Sequence, residues 1–88
     1  VRTPAEQFGI NLKRCRRRVR LSQEAVAVRA SLHRTEIGYL ENGKRSPRID
    51  TLIKLCGAIE ATPADLLDGI EWLPGQDHDG RFSIPDGR

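Results

Sequence analysis

The sequence predicts an all-α domain of five short helices followed by a short C-terminal extension. Apolar residues recur three and four apart as far as residue 69, residues suited to capping precede most of these stretches, and turn formers close them. A chain of 88 residues makes one compact domain. Phe8, Tyr39, Trp72 and Phe82 are its only aromatic residues, so Leu, Ile, Val and Ala must fill most of the core.

The first helix runs from Pro4 to Val19, with Phe8, Leu12, Cys15 and Val19 on one face, Thr3 as N-cap and Pro4 at the first helical position. Ser22 caps a second helix whose inward residues are Val26, Ala27 and Ala30. A third spans Leu32 to Glu41, turns Ile37 and Leu40 inward, and stops at Asn42-Gly43. Ile49, Leu52, Ile53, Leu55, Cys56 and Ile59 mark a fourth. Thr62-Pro63 opens a fifth through Leu66 and Leu67, closed by Asp68-Gly69. The last twenty residues differ in kind. Asp77-His78-Asp79-Gly80 is a turn signal between Glu71-Trp72-Leu73 and Arg81-Phe82-Ser83-Ile84. A small β-hairpin, an extended arm, or a loose tail with Trp72 pinned to the core and disorder beyond about Asp86 all fit these residues.

Charge is unevenly placed. Residues 1–68 hold 13 Lys and Arg against 8 Asp and Glu, whereas residues 69–88 hold 2 against 4. The excess lies in Lys13-Arg14-Cys15-Arg16-Arg17-Arg18-Val19-Arg20 and in Lys44-Arg45-Ser46-Pro47-Arg48, which favours either a polyanionic partner or a solvated helix face. No apolar run approaches the roughly 18 residues of a membrane span, and no signal-peptide pattern opens the chain. Cys15 and Cys56 sit within helical periods without CxxC spacing and read as free thiols, so a cytoplasmic location is expected. His33, His78, the cysteines and the four serines show no spacing typical of a nucleophile or metal site. Asp77-His78-Asp79 reads as a polar turn. Neither catalysis nor a metal, cofactor or small-molecule ligand is expected.

Residues 23–42 carry the functional signal. Two helices crossing steeply need a small residue on the first, which Ala27 supplies. The turn between them needs a residue that tolerates a left-handed backbone and then a hydrophobe to plug the gap. Ser31 and Leu32 take those places, and Ile37 and Leu40 supply the inward residues of the second helix.

Leu21-Ser22-Gln23-Glu24, Ala27, His33-Arg34-Thr35-Glu36-Ile37 and Leu40-Glu41-Asn42-Gly43-Lys44-Arg45-Ser46-Pro47 resemble the Xre family of helix-turn-helix regulators, which includes lambda-type repressors and Cro proteins. Thr51-Leu52-Ile53-Lys54-Leu55 and Ala61-Thr62-Pro63-Ala64-Asp65-Leu66-Leu67 match its fourth and fifth helices. The resemblance covers about residues 6–69 and not the tail. It divides the chain into a lambda-repressor-like DNA-binding domain at 1–69, with the motif at 23–42, and an extension at 70–88.

The resemblance implies a double-stranded DNA operator read in the major groove by the third helix. His33, Arg34, Thr35 and Tyr39 occupy the base-reading places. Arg34 suits the guanine acceptors, a pairing that contributes about 1–3 kcal/mol of discrimination. Gln23, Asn42, Lys44 and Arg45 take the phosphate-contacting places. Arg16 and Glu41 match a salt bridge that secures the loop after the recognition helix. A homodimer on a two-fold site is expected, with Leu66, Leu67, Ile70, Trp72 and Phe82 as its apolar patch.

Ser31, Arg20 and Glu60 stand where the family commonly has Gly, which places Ser31 in a left-handed conformation costing about 1 kcal/mol. His33 replaces the usual Ser or Thr cap, and Gly38 costs up to about 1 kcal/mol within its helix. A repressor, an antitoxin controlling its own operon and a restriction-modification controller share this pattern. A protein-interaction adaptor using the same fold is the rival reading.

Overall fold

The computed structural model describes residues 2–85. Five helices, α1 (Pro4–Arg18), α2 (Gln23–Ala30), α3 (Arg34–Glu41), α4 (Ile49–Ile59) and α5 (Pro63–Leu66), precede two strands, β1 (Glu71–Leu73) and β2 (Arg81–Ser83). The tail forms the hairpin alternative. β1 and β2 pair antiparallel with Trp72 opposite Phe82, and those rings meet edge to face at 5.1 Å. Trp72 is exposed and packs on its hairpin partner, not on the helical core. The expectation for the chain beyond Asp86 lies outside the described residues.

Local chemistry explains the helix ends. Thr3 and Thr62 each accept from the backbone N–H three residues on, while Glu6 and Asp65 bond back to the threonine N–H groups. These capping boxes satisfy amides that an α-helix leaves without partners. Ser22 Oγ caps Ala25 in the same way. The third helix begins at Arg34, two residues later than the sequence suggests. Ser31 is left-handed at φ 55° and ψ 46°, and the Leu32 N–H donates back to the Ala27 carbonyl at 2.9 Å. Leu32 therefore closes α2 and partly buries its side chain against the core, leaving His33 extended as the N-cap of α3. Arg20 and Glu60 are left-handed too, at φ 59° and 54°.

The core is built from Phe8, Leu12 and Cys15 of α1, Val26, Ala27 and Ala30 of α2, Ile37 and Leu40 of α3, Leu55, Ala58 and Ile59 of α4, and Leu66 of α5. Leu66 is fully buried in this core, so it cannot serve the intermolecular patch expected of it, and Ile70 packs against the same core. Polar ties complete the packing. Asn11 Nδ2 donates to the Leu66 and Asp68 carbonyls at 3.0 and 2.8 Å, and Gln7 Nε2 donates to Asn11 Oδ1 at 3.0 Å. Arg29 Nε donates to the Ala58 carbonyl at 2.8 Å, joining α2 to the end of α4. No helix among the described residues is long and apolar enough to cross a membrane.

α1 approaches the end of α3 closely. A Cβ on Gly9 would lie 2.5 Å from both the Leu40 and Glu41 carbonyl oxygens. Gly9→Ala is expected to lose about 1–3 kcal/mol of stability in denaturant titrations, because rigid backbone must move. Ser31→Gly is expected to gain up to about 1 kcal/mol by releasing left-handed strain. The threonine N–H bonds hold the Glu6 and Asp65 carboxyls below their ordinary pKa values. Their stabilisation is thus present at neutral pH and lost as pH falls through those lowered values. Glu6→Gln with Asp65→Asn should flatten the acid limb of a stability-versus-pH curve.

Candidate nucleic-acid interface

The exposed side of α3 is held in place by a network beneath it. Arg16 Nε and Nη2 donate to the two carboxylate oxygens of Glu41 at 2.6 and 3.0 Å, a bidentate pair. Arg16 Nη1 also donates to the Leu21 carbonyl at 2.9 Å, and Gln23 Nε2 donates to Glu41 Oε1 at 3.1 Å. The side chains of Arg16 and Glu41 are only 12% and 3% exposed. Hydrogen bonding to Glu41 raises the Arg16 pKa above its ordinary value, opposed by burial, so the guanidinium stays charged. One carboxylate therefore joins α1, the entry to α2 and the end of α3. Gly43 follows at φ 70°, close enough to Glu6 that a Cβ would lie 2.7 Å from the Glu6 Cγ.

Above this network Gln23, Arg34, Thr35, Gly38, Tyr39, Asn42 and Lys44 line one shallow groove. Six of the eight residues expected at base or phosphate are thus brought together. His33 stands exposed at the N-cap of α3 without a side-chain capping bond and does not line the groove. Arg45 lies outside the groove, its guanidinium 4.6 Å from the Tyr39 ring centre and its Nη1 3.2 Å from Glu36 Oε1. Glu36 and Tyr39 sit three apart on α3, so spacing alone placed them side by side. The reach of Arg45 across the loop had no such signal. Gly38 has open space where a Cβ would be, so the groove floor there is bare backbone.

The basic run of α1 is largely occupied elsewhere. Arg14 and Arg18 approach Asp68 and Asp65 at 3.8 Å, and Arg16 serves Glu41. Leu67, Trp72 and Phe82 are exposed. Ile49 and Ile53, which mark the period of α4 in the sequence, are more exposed still, at 77% and 62%. No group of three or more potential metal-binding side chains assembles among the described residues.

A family model described as a helix-turn-helix domain matches residues 7–68. The chain belongs to that family. It is 37% identical over 62 residues to control protein C.BamHI of Bacillus amyloliquefaciens, covering 69% of this chain and 76% of that protein. Control protein C.MunI of a Mycoplasma species is 36% identical over 66 residues, covering 74% and 89%. The crystal structure of the restriction-modification controller protein C.AhdI from Aeromonas hydrophila superposes with a TM-score of 0.68 at 32% identity, covering 70% of this chain and 94% of that one. The protein is a helix-turn-helix DNA-binding transcriptional regulator of the Xre type. The hairpin lies beyond the matched residues.

Arg16→Ala leaves the buried Glu41 without its cation, and a loss of about 3 kcal/mol is expected in thermal or chemical unfolding. Replacing Glu41 by Ala as well should recover part of that loss, because the unpaired buried charge is then removed.

Proposed function

We propose that this protein binds a two-fold operator as a homodimer and controls the expression of a restriction-modification operon. Each protomer presents α3 to the major groove, with half-sites about one helical turn, ~34 Å, apart. The observation that carries the reading is the groove over α3. It gathers a guanidinium, an amide pair, an ammonium, a hydroxyl and an aromatic ring on one face, with open space at Gly38 among them.

Within that reading Arg34 and Thr35 meet base edges, His33 stands at the edge of the site, and Tyr39 reaches a base or sugar one turn further along. Gln23, Asn42, Lys44 and Arg45 anchor to phosphate. Gln23 already spends one amide hydrogen on Glu41, which leaves its second amide hydrogen for the phosphate and fixes its direction. The assignment to restriction-modification control is supported by the likeness to two control proteins and to a controller of known structure.

Binding to the duplex upstream of the protein's own reading frame, titrated across salt, tests the proposal. Affinity should fall steeply with salt and exceed that for unrelated duplex by about 1,000-fold or more. Equal, weak binding to every duplex at low salt would refute operator recognition and favour a protein-interaction role. Arg34→Ala is expected to relax preference at one base pair with the salt slope nearly unchanged. Lys44→Ala should weaken all sequences alike and reduce that slope by about 1.

A further inference from the structure

The groove over α3 makes no use of the hairpin, and its residues lie outside the matched helical domain. β1 and β2 form a two-stranded sheet whose side chains alternate between its two faces. Trp72 and Phe82, opposite each other in the register, therefore share one face. They are 56% and 53% exposed, whereas aromatic rings of this size are mostly covered in folded proteins. Two adjacent exposed rings form a patch, and such patches mark contact surfaces. The loop between the strands closes one end of it. A Cβ on Gly80 would overlap Trp72 Cζ2, so the missing side chain lets the indole lie against the backbone. Trp72, Pro74, Gly75, Gln76, His78 and Gly80 line an open pocket of about 460 Å³, room enough for a long side chain.

We propose that this aromatic face docks a basic segment of another protein, with an arginine side chain seated in the pocket against the Trp72 indole. The charge of the hairpin selects that chemistry. Between residues 71 and 83, Glu71, Asp77 and Asp79 stand against a single Arg81. None of these three carboxylates forms an ion pair among the described residues. Asp77 and Asp79 flank His78 of the pocket wall. Asp79 Oδ1 accepts from the Asp77 N–H at 3.2 Å and occupies the space where Gly75 lacks a side chain, which holds its carboxylate beside the pocket. Arginine fits both halves of this site. Its planar guanidinium stacks on an aromatic ring and donates to carboxylates at its edge. Apolar residues next to it would cover Phe82 and the rest of Trp72.

The same charges argue against nucleic acid on this face. Residues 1–68 carry 13 Lys and Arg against 8 Asp and Glu, whereas residues 69–88 carry 2 against 4. Phosphates are drawn to the helical domain and repelled by the hairpin. A chain held on DNA by its basic side thus keeps an acidic, aromatic face for a partner of opposite charge. Two hairpins packed on each other would set like charges side by side, which disfavours self-pairing here.

Trp72 is the only tryptophan, so the intrinsic fluorescence of the full chain reports on this face alone. The probe is a capped hexapeptide alternating arginine and leucine, with a peptide of glutamate in place of arginine as control. The arginine peptide should shift or quench Trp72 emission with a Kd below about 1 mM, at least about tenfold tighter than the control. Asp77→Asn with Asp79→Asn keeps the oxygen acceptor of the loop and should weaken binding by about tenfold. Phe82→Ala should weaken it by a similar factor, with circular dichroism confirming that the helices of each variant are intact. No response at millimolar peptide, an equal response to both peptides, or binding undiminished by the Asn exchanges would overturn the proposal. Quenching by duplex DNA would make the hairpin a DNA-contacting arm. Emission that changes with protein concentration alone would seat a second copy on this face. Either result overturns the proposal as well.

Discussion

The geometry of the DNA-facing surface depends on one buried carboxylate. Glu41 ends the recognition helix, yet it is bonded to Arg16 of the first helix and to Gln23 at the start of the second. A charge this deeply buried is costly unless it is paired and its lone pairs are used. Here two guanidinium bonds and one amide bond satisfy it. The consequence is positional. Three elements around the groove over α3 are tied to a single group, and Gly9 lets the first helix approach closely enough for the tie to form.

Stability and reading are kept apart by this arrangement. The core residues of the motif, Val26, Ala27, Ile37 and Leu40, face away from the groove and set the crossing of its two helices. Arg34, Thr35, Gly38 and Tyr39 face out and leave the core untouched. Residues of the outward set can therefore change with little effect on the fold. The Arg45 guanidinium, resting on the Tyr39 ring and bonded to Glu36, shows that the outward face has order of its own.

Much of this was legible in the sequence because it is local. Caps at Thr3, Ser22 and Thr62, stops at Asn42-Gly43, and inward residues three and four apart depend on near neighbours in the chain. Ser31 was legible as a left-handed position through the family pattern, as was the Arg16–Glu41 pair. What escaped was non-local or directional. The start of the third helix was misplaced because Leu32 completes the preceding turn through a bond to Ala27. Leu66 was read as surface because a four-residue helix shows too little period to reveal its buried face. The exposure of Ile49 and Ile53 was hidden because both sides of α4 carry apolar residues. The amide chain from Gln7 through Asn11 to the end of α5 links residues 55 and 57 positions apart, which no spacing rule anticipates.

The central claim is that α3 reads base sequence from a scaffold that holds two such helices in register. Selection of bound duplexes from a random pool measures this directly. The account predicts an enriched motif with two-fold symmetry, half-sites about 10 base pairs apart, and a guanine within each half whose preference depends on Arg34. A pool that shows no enrichment, or a motif indifferent to the residue at position 34, would contradict it.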